Sequence, residues 1–551
     1  MPPLPPPPLT LLFNASRSGH VPSVLSLLSS ETSKGSLSTL SSYIDSSVVI
    51  SGISGVDSIK ETCLTVALAS GHLTVAGILV SKAGANINLP HSTDGCTPLI
   101  SACGDGNLAT VRFCVDHGSE VNRGRVSDGV TPLMAACEQN HLSVAQYLVR
   151  EGAAVDKADG EGFTPLIGSS QEGNLEVVKL LRDNGAEVDK GNNEGTTPLI
   201  MSSHSGYPEV VKLLLAGGAD VNRSRNNGIT PLFASTENNH TAVTSLLLAA
   251  GGKPDQPDSR GVTPLLVSSA NGHGEAAKLL LAGGAEVNGA DGGGFSPLLV
   301  CSQNGHLEMA RLLLAPGADV DQAMDGGMSS LILSSSKGHR EVVELLLASG
   351  AEVDRAGDDG STALLVGSQN GHQGVVELLL AEGARVNRAN AKGTTALYIS
   401  SQKGHPEVVK LLLDKGATVD HSPLPSNYTP LIVSSLNGNP EVVKLLLAGG
   451  ANVHHTDDDG DTPLSIGRQE GHHEVVKLVL ARITTIRRLT VLSAIRQVRL
   501  LPPTPPPSQL LSLLANGTPD DLVRVILEFL GADAAEAPCC EEEEGKGKGA
   551  C

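Results

Sequence analysis

The chain has 551 residues, and 39 Lys and Arg stand against 59 Asp and Glu for a formal charge of −20 at pH 7. Such a field repels nucleic acid and anionic membrane surfaces and favours basic or neutral protein partners. Only 2% of residues are aromatic and Trp is absent, which is poor for the core of a large enzyme but suits thin helix pairs filled with Leu, Val, Ile and Ala.

In chain order, MPPLPPPPL has no basic residue before Arg17, and its prolines interrupt any apolar stretch, so no signal or transit peptide is expected. Prolines 2 to 8 read as an extended linker. Thr10 lies nine residues before Gly19 in TLLFNASRSGH, and Thr62 nine before Gly71 in TCLTVALASGH; each opens a degenerate unit, with a Ser-rich insertion after Leu28. Clear copies then follow, with T-x-L starting at Thr97, Thr131, Thr164, Thr197, Thr230, Thr263, Ser296, Ser329, Thr362, Thr395, Thr429 and Thr462. Their spacing is 33 residues, with two steps of 34, and Gly or Asn recurs nine residues after each start. A period in this range marks a stacked array.

The stretch NYTPLIVSSLNGNPEVVKLLLAGGANV at 427–453 shows the grammar of one unit. Thr429 is an N-cap and Pro430 sits at the first helical position, where its missing N–H costs nothing. A helix to about Asn437 ends at Gly438. Pro440 and Glu441 start a second helix with Val442, Val443, Leu445, Leu446 and Leu447 on one face, stopped by Gly449 and Gly450. One such pair cannot bury its own apolar stripe, so copies must stack.

After the last clear unit come Arg482, Arg487, Arg488, Arg496 and Arg499, then PPTPPP at 502–507. Ser508 lies nine before Gly517 in SQLLSLLANG and opens a fifteenth, degenerate unit. The chain therefore divides into a Pro-rich start with an N-capping unit and Ser-rich insertion (1–59), a repeat array (60–481), an Arg-rich helical segment and Pro-rich linker (482–507), a C-capping unit (508–533) and an acidic tail read as disordered (534–551). No uncharged apolar run reaches 18 residues, so membrane insertion is not expected. The nine Cys include no CxxC pair, which points to neither a disulfide framework nor a zinc site and suits a reducing compartment, cytoplasmic or nuclear.

A period of 33 with T-P-L, a G-[HNY] turn, V-V-x-L-L-L and G-A-[DEN]-V-[DN] resembles the ankyrin repeat, firmly over about residues 60 to 481. The resemblance implies an all-α ankyrin-repeat solenoid of stacked helix-turn-helix units with β-hairpin fingers. It also implies a non-catalytic scaffold or adaptor, monomeric and without a cofactor, that binds partner proteins on the concave surface. Gly two residues before each Thr fits the tight turn of a finger, and Asn427 takes that place in one unit. The His usual after T-P-L is replaced throughout, as at Ile100, Met134 and Phe233. Ser pairs such as Ser169-Ser170 and Ser202-Ser203 follow, and their hydroxyls either satisfy the groups that His would reach or bond back to their own helix.

From the Thr62 unit onward, nine of the 17 His fall in the G-H turn. One ligand per unit leaves neighbours about 10 Å apart, too far for metal coordination, and they are expected to cap the second helix. Glu followed three residues later by Lys or Arg, as in Glu275/Lys278 and Glu441/Lys444, marks a solvated outer face. No nucleophile elbow, phosphate-binding loop, HExxH or kinase motif occurs, so no enzymatic activity is expected.

Binding positions follow from what the repeat leaves free. In ankyrin-like proteins the residue before each Thr commonly faces the partner, and here that place holds Phe163, Ile229, Phe295, Met328 and Tyr428. The competing reading is that each packs on its own finger. Acidic residues gather at fingers, including Asp358, Asp359, Asp458 and Asp459. Together these suggest a groove for a segment carrying Lys or Arg and apolar anchors. The family resemblance alone points to Asn222 as a hydroxylation site. The segment after the array is also loosely similar to SOCS-type or F-box-like C-terminal helices, so a substrate receptor of a ubiquitin ligase is the alternative function.

Overall fold

The computed structural model describes residues 8–32, 48–49, 60–90, 95–423 and 427–499. Among these, 28 helices follow one another as fourteen helix-turn-helix pairs. The first pair is Pro8–Ser18 with Val21–Thr32, the second Cys63–Ala69 with Leu73–Ala83, and twelve more run from Pro98–Gly104 to His473–Arg499. The expected fifteenth unit, the acidic tail and most of the Pro-rich stretches lie outside the described residues. Contacts divide the chain into two bodies, one of Met1–Asp325 with Ala348–Ala351 and the other of Gly326–Leu347 with Glu352–Cys551.

Each unit forms for the reasons its sequence supplies. Thr230 is extended (φ −90°, ψ 166°), its hydroxyl accepts the Phe233 N–H, and Pro231 follows at the first helical position. The same cap recurs in the other clear units except at Ser296, whose Oγ is buried with no partner among the described residues. In the first unit the helix begins at Pro8, so Thr10 lies inside it rather than capping it, and Pro8 belongs to the helix, not to a linker.

The first helix of a unit buries its Leu and the residue after it, as with Leu199 and Ile200. The second buries Val210, Val211 and Leu214 and leaves Lys212 exposed. First helices pack on first helices, so that Pro198–Ser205 lies between Pro165–Gln171 and Pro231–Glu237. Second helices stack likewise, with Pro208–Ala216 between Leu175–Asp183 and Thr241–Ala249. The Glu/Lys pairs lie outside this packing; Lys278 and Glu275 meet at 2.7 Å, both more than half exposed.

The Ser pairs bond back to their own helix. Ser268 and Ser269 both donate to the Leu265 carbonyl, at 2.9 and 2.7 Å. Ser202 reaches Leu199 at 3.2 Å, while the neighbouring Ser203 hydroxyl is buried without a partner among the described residues.

The fingers are tight hairpins closed by a pair of backbone bonds rather than by a ladder, as where the Asp159 N–H donates to the Phe163 carbonyl at 3.0 Å and the Gly162 N–H to the Asp159 carbonyl at 3.2 Å. An Asx residue organises nine of them. Asp159 Oδ1 accepts the N–H groups of Glu161 and Phe163 at 2.9 and 2.8 Å, and Asn192, Asp258, Asp291, Asn390 and Asp457 do the same in their fingers. Where that place holds another residue, an acceptor nearer the turn takes over, namely Asp128, Asn227 or Asp359. Gly162 has φ 86°, and a Cβ there would lie 2.7 Å from the Asn193 amide nitrogen of the next finger. That close approach lets the Asn193 N–H donate to the Glu161 carbonyl at 3.0 Å, a bond repeated from Asn226 to Glu194 and from Ser259 to Asn227.

Two expected boundaries are not breaks. Val48–Val49 pairs antiparallel with Lys60–Glu61, joining the insertion to the start of the array across residue 59. Helix His473–Arg499 runs without interruption through position 481.

His20 Nδ1 accepts the Ser23 N–H at 3.3 Å in the first unit, but His141, His240 and His306 make no side-chain cap on their second helices. They reach backwards instead. Nε2 of His72, His141, His240, His306, His372, His405 and His472 lies 2.9 to 3.2 Å from a carbonyl in the last turn of the preceding unit's first helix. Those carbonyls have no acceptor role within their own helix, so the imidazole satisfies an orphan group across the interface. The place after Gly thus supplies the interunit imidazole that the sequence lacks after T-P-L.

Candidate functional site

In the first body, the end of the first helix Pro132–Glu138 lies beside the fingers, near enough for Asp128 and Asp159 to act on Glu138. Phe163, Ile229 and Phe295 are half-buried. Their N–H groups are held by Asp159, Asn227 and Asp291 respectively. A Cβ on Gly293 would lie 3.6 Å from the Phe295 ring, so that ring rests partly on its own finger. Local packing and partial exposure coexist at this position.

Glu138, at the end of helix Pro132–Glu138, is the electrostatic centre of this region. Burial pushes its carboxyl above the usual carboxylate range; Arg125 opposes the shift, and Asp159, Glu172 and Asp128 add to it. A Cβ on Gly168 of the next first helix would lie 3.3 Å from the Glu138 side chain, which accounts for its partial covering. Asp128 is itself forked by Arg125, with contacts of 3.0 and 2.6 Å, and that guanidinium holds its carboxyl below the usual range. Asp128 and Asp159 from two fingers and Glu172 from the end of the next first helix are therefore close enough to act on Glu138.

In the second body, Met328 and Tyr428 occupy the same repeat position and are also half-buried. The Met328 sulfur would lie 3.3 Å from a Cβ on Gly357. Tyr428 lies near enough to Tyr398 to join burial in raising that phenol. Asp358, Asp458 and Asp459 are exposed, each in a finger. Asp359 is exposed yet committed to its own turn: the Ser361 N–H and hydroxyl both donate to it at 2.8 Å, and those bonds hold its carboxyl below the usual range.

Asn222 bridges units. Its amide donates to the Gly251 carbonyl at 3.1 Å and accepts the Lys253 N–H at 2.9 Å. Asn122 and Asn387 make the same pair of bonds, so geometry does not single out Asn222, and a modification there requires those bonds to open.

Glu138 and Glu172 do not stand out by repeat position alone. The available signal was an acidic residue seven or eight places after the unit's Thr, beyond the inward-facing Ser or Ala pair. Five buried thiols are raised by desolvation, Cys63, Cys114 and Cys301 to about 12 and Cys103 and Cys137 likewise upward, which makes them poor nucleophiles. Among the described residues no group of three or more His, Cys, Asp or Glu is placed to hold a metal ion, and no helix is long and apolar enough to cross a membrane.

A family model described as ankyrin repeats (3 copies) matches residues 64–159, 151–225, 217–291, 284–357, 331–423 and 419–487. Among solved structures the chain is similar to the human ASB11 ankyrin repeat domain, at 28% sequence identity with a TM-score of 0.37, over 40% of this chain and 97% of that one. Comparison with curated proteins returns no match. With the repeat model matching from Leu64 to Arg487 and the helix pairs, fingers and interunit bonds laid out as above, the chain belongs to the ankyrin-repeat family.

Proposed function

We propose that this protein is a non-catalytic scaffold or adaptor of the cytoplasm or nucleus that binds a partner segment rich in Lys or Arg with apolar anchors. The segment lies along the face made by the fingers and the ends of the first helices. The observation that carries this reading is the grouping of Glu138, Asp128, Asp159 and Glu172, where burial first, and then the charges of Asp159, Glu172 and Asp128, raise the Glu138 carboxyl against the opposing Arg125. A cation arriving there relieves repulsion that the folded chain otherwise retains. Half-buried Phe163, one place before Thr164, offers an apolar contact on the same face. The overall charge of −20 steers basic partners towards the protein.

The test is recovery of partner proteins by the full chain and by a variant carrying Glu138→Gln, Glu172→Gln and Phe163→Ala. Loss of most of the recovered partner, with circular dichroism and thermal midpoint preserved, supports the proposal. Unchanged recovery with folding preserved removes it.

A further inference from the structure

The last described unit is unfinished on the side where another would stack. Within the array, Leu431 and Val443 are fully buried, but their counterparts Leu464 and Val476 are half-exposed. Leu447 is 6% exposed, whereas its counterpart Leu480 is 38% exposed.

The final helix also overshoots. Second helices such as Pro440–Ala448 have 9 residues, and His473–Arg499 has 27, an overhang of 27 − 9 = 18. Val475 and Val479 are buried, and the same helical face continues off the end of the stack through Ile486 to Leu489, which is 59% exposed. Arg482 lies on that face as well, and its Nε is buried with no partner among the described residues. Arg487 and Arg488 are exposed beside it, Arg496 and Arg499 follow in sequence, and no acidic residue occurs between 482 and 499.

We infer that residues 509–530 of this same chain cover that face. Three features select them. They carry Leu510, Leu511, Leu513 and Leu514, then Leu522, Val523, Val525, Ile526, Leu527, Phe529 and Leu530, apolar residues at helical spacing. Asp520, Asp521 and Glu528 stand there against Arg524, a net negative complement to the arginines of the overhang. The eight residues 500–507, LLPPTPPP, span about 25 Å in the extended form favoured by proline, close to the roughly 27 Å length of an 18-residue helical overhang, so the chain can return to the stack's open end. A second copy of the chain is a worse occupant, because pairing two overhangs sets five arginines against five.

The experiment is hydrogen exchange by mass spectrometry on the full chain and on full chains carrying Ile526→Asp with Leu527→Asp, with mass measured by light scattering. Covering predicts that amides 480–492 exchange about tenfold more slowly in the unmodified chain, which remains a monomer. Arg487→Glu with Arg488→Glu should remove that protection, and adding Asp520→Arg with Asp521→Arg should restore it. Equal exchange in the first two chains overturns the inference and leaves the face to an outside partner such as a ligase adaptor. Protection that rises with concentration together with a dimeric mass also overturns it, in favour of a second copy.

Discussion

Nε2 of His141 lies 2.9 Å from the carbonyl oxygen of Gly104, the last residue of the preceding unit's first helix. The ring rests on Gly106, where a Cβ would come within 2.5 Å of it and where φ is 71°. Gly and His are thus one device spread over two units: the glycine makes the turn and clears the space that the next unit's imidazole fills. His141→Ala should cost about 1 kcal/mol of local stability, as expected for one net hydrogen bond. Gly106→Ala should cost about 1–3 kcal/mol, since it adds strain at positive φ to a steric clash. Hydrogen exchange in residues 98–150 measures both; the double variant should cost less than the sum because removing the ring removes the clash, and additive costs would contradict the coupling.

Two neighbouring carboxylates in the last finger should behave oppositely. Asp457 is 7% exposed, and its Oδ1 accepts the N–H groups of Asp459 and Asp461, whereas Asp458 is exposed. Asp457→Ala should therefore destabilise the end of the array by about 1–3 kcal/mol, through the N–H groups it leaves unsatisfied. Asp458→Ala should fall within about 0.5 kcal/mol of the unmodified chain. Urea melts monitored by helicity separate the two. For the same reason Asp359→Asn is the proper charge-removing variant at its finger, because it keeps the acceptor for Ser361.

Three units lack Pro after the cap and carry Ser330, Ala363 and Ala396 instead. Thr362 and Thr395 already hold the extended conformation that a following proline demands, at φ −101° with ψ 166° and 165°. Ala363→Pro and Ala396→Pro should each stabilise by about 0.4–1 kcal/mol, through the unfolded chain. A lowered thermal midpoint would show that the replaced N–H groups are needed in the folded unit.

The buried thiols give a definite sign to alkaline stability. Cys63, Cys114 and Cys301 are lifted from 9.0 to about 12 in the fold. Between those values the unfolded chain has lost protons that the folded chain keeps, so unfolding binds fewer protons and stability falls as pH rises from about 9 towards 12. Below pH 9 these groups contribute no slope. Cys301→Ala should flatten the decline measured by denaturant melts across pH 8.5–10.5, and an unchanged slope would contradict the assignment. Labelling of Cys63, Cys114 and Cys301 by a thiol reagent at pH 8 should likewise be slow until denaturant is added.

The array was readable because its period is carried by residues whose physical roles do not depend on distant partners: Thr and Pro at a helix start, Gly or Asn at positive φ, paired Val and Leu on one face. Asn427, expected to tolerate positive φ, has φ 51°. What could not be read depends on contacts one period away. Nothing local shows that His141 reaches Gly104 rather than its own helix, or that Asp457 is a turn acceptor while Asp458 is surface. Glu138 escaped notice because its character comes first from burial and then from Arg125, Asp159, Glu172 and Asp128, none of them near it in its own helix.

The central claim is most directly tested by selecting ligands for the full chain from an unbiased displayed peptide library and measuring their affinity by calorimetry in low and high salt. The account predicts selected peptides that combine several Lys or Arg with one or two apolar anchors, weaken as salt rises, and lose about tenfold or more in affinity with Glu138→Gln, Glu172→Gln and Phe163→Ala combined. Acidic peptides, or basic peptides whose affinity ignores both salt and those substitutions, would contradict it.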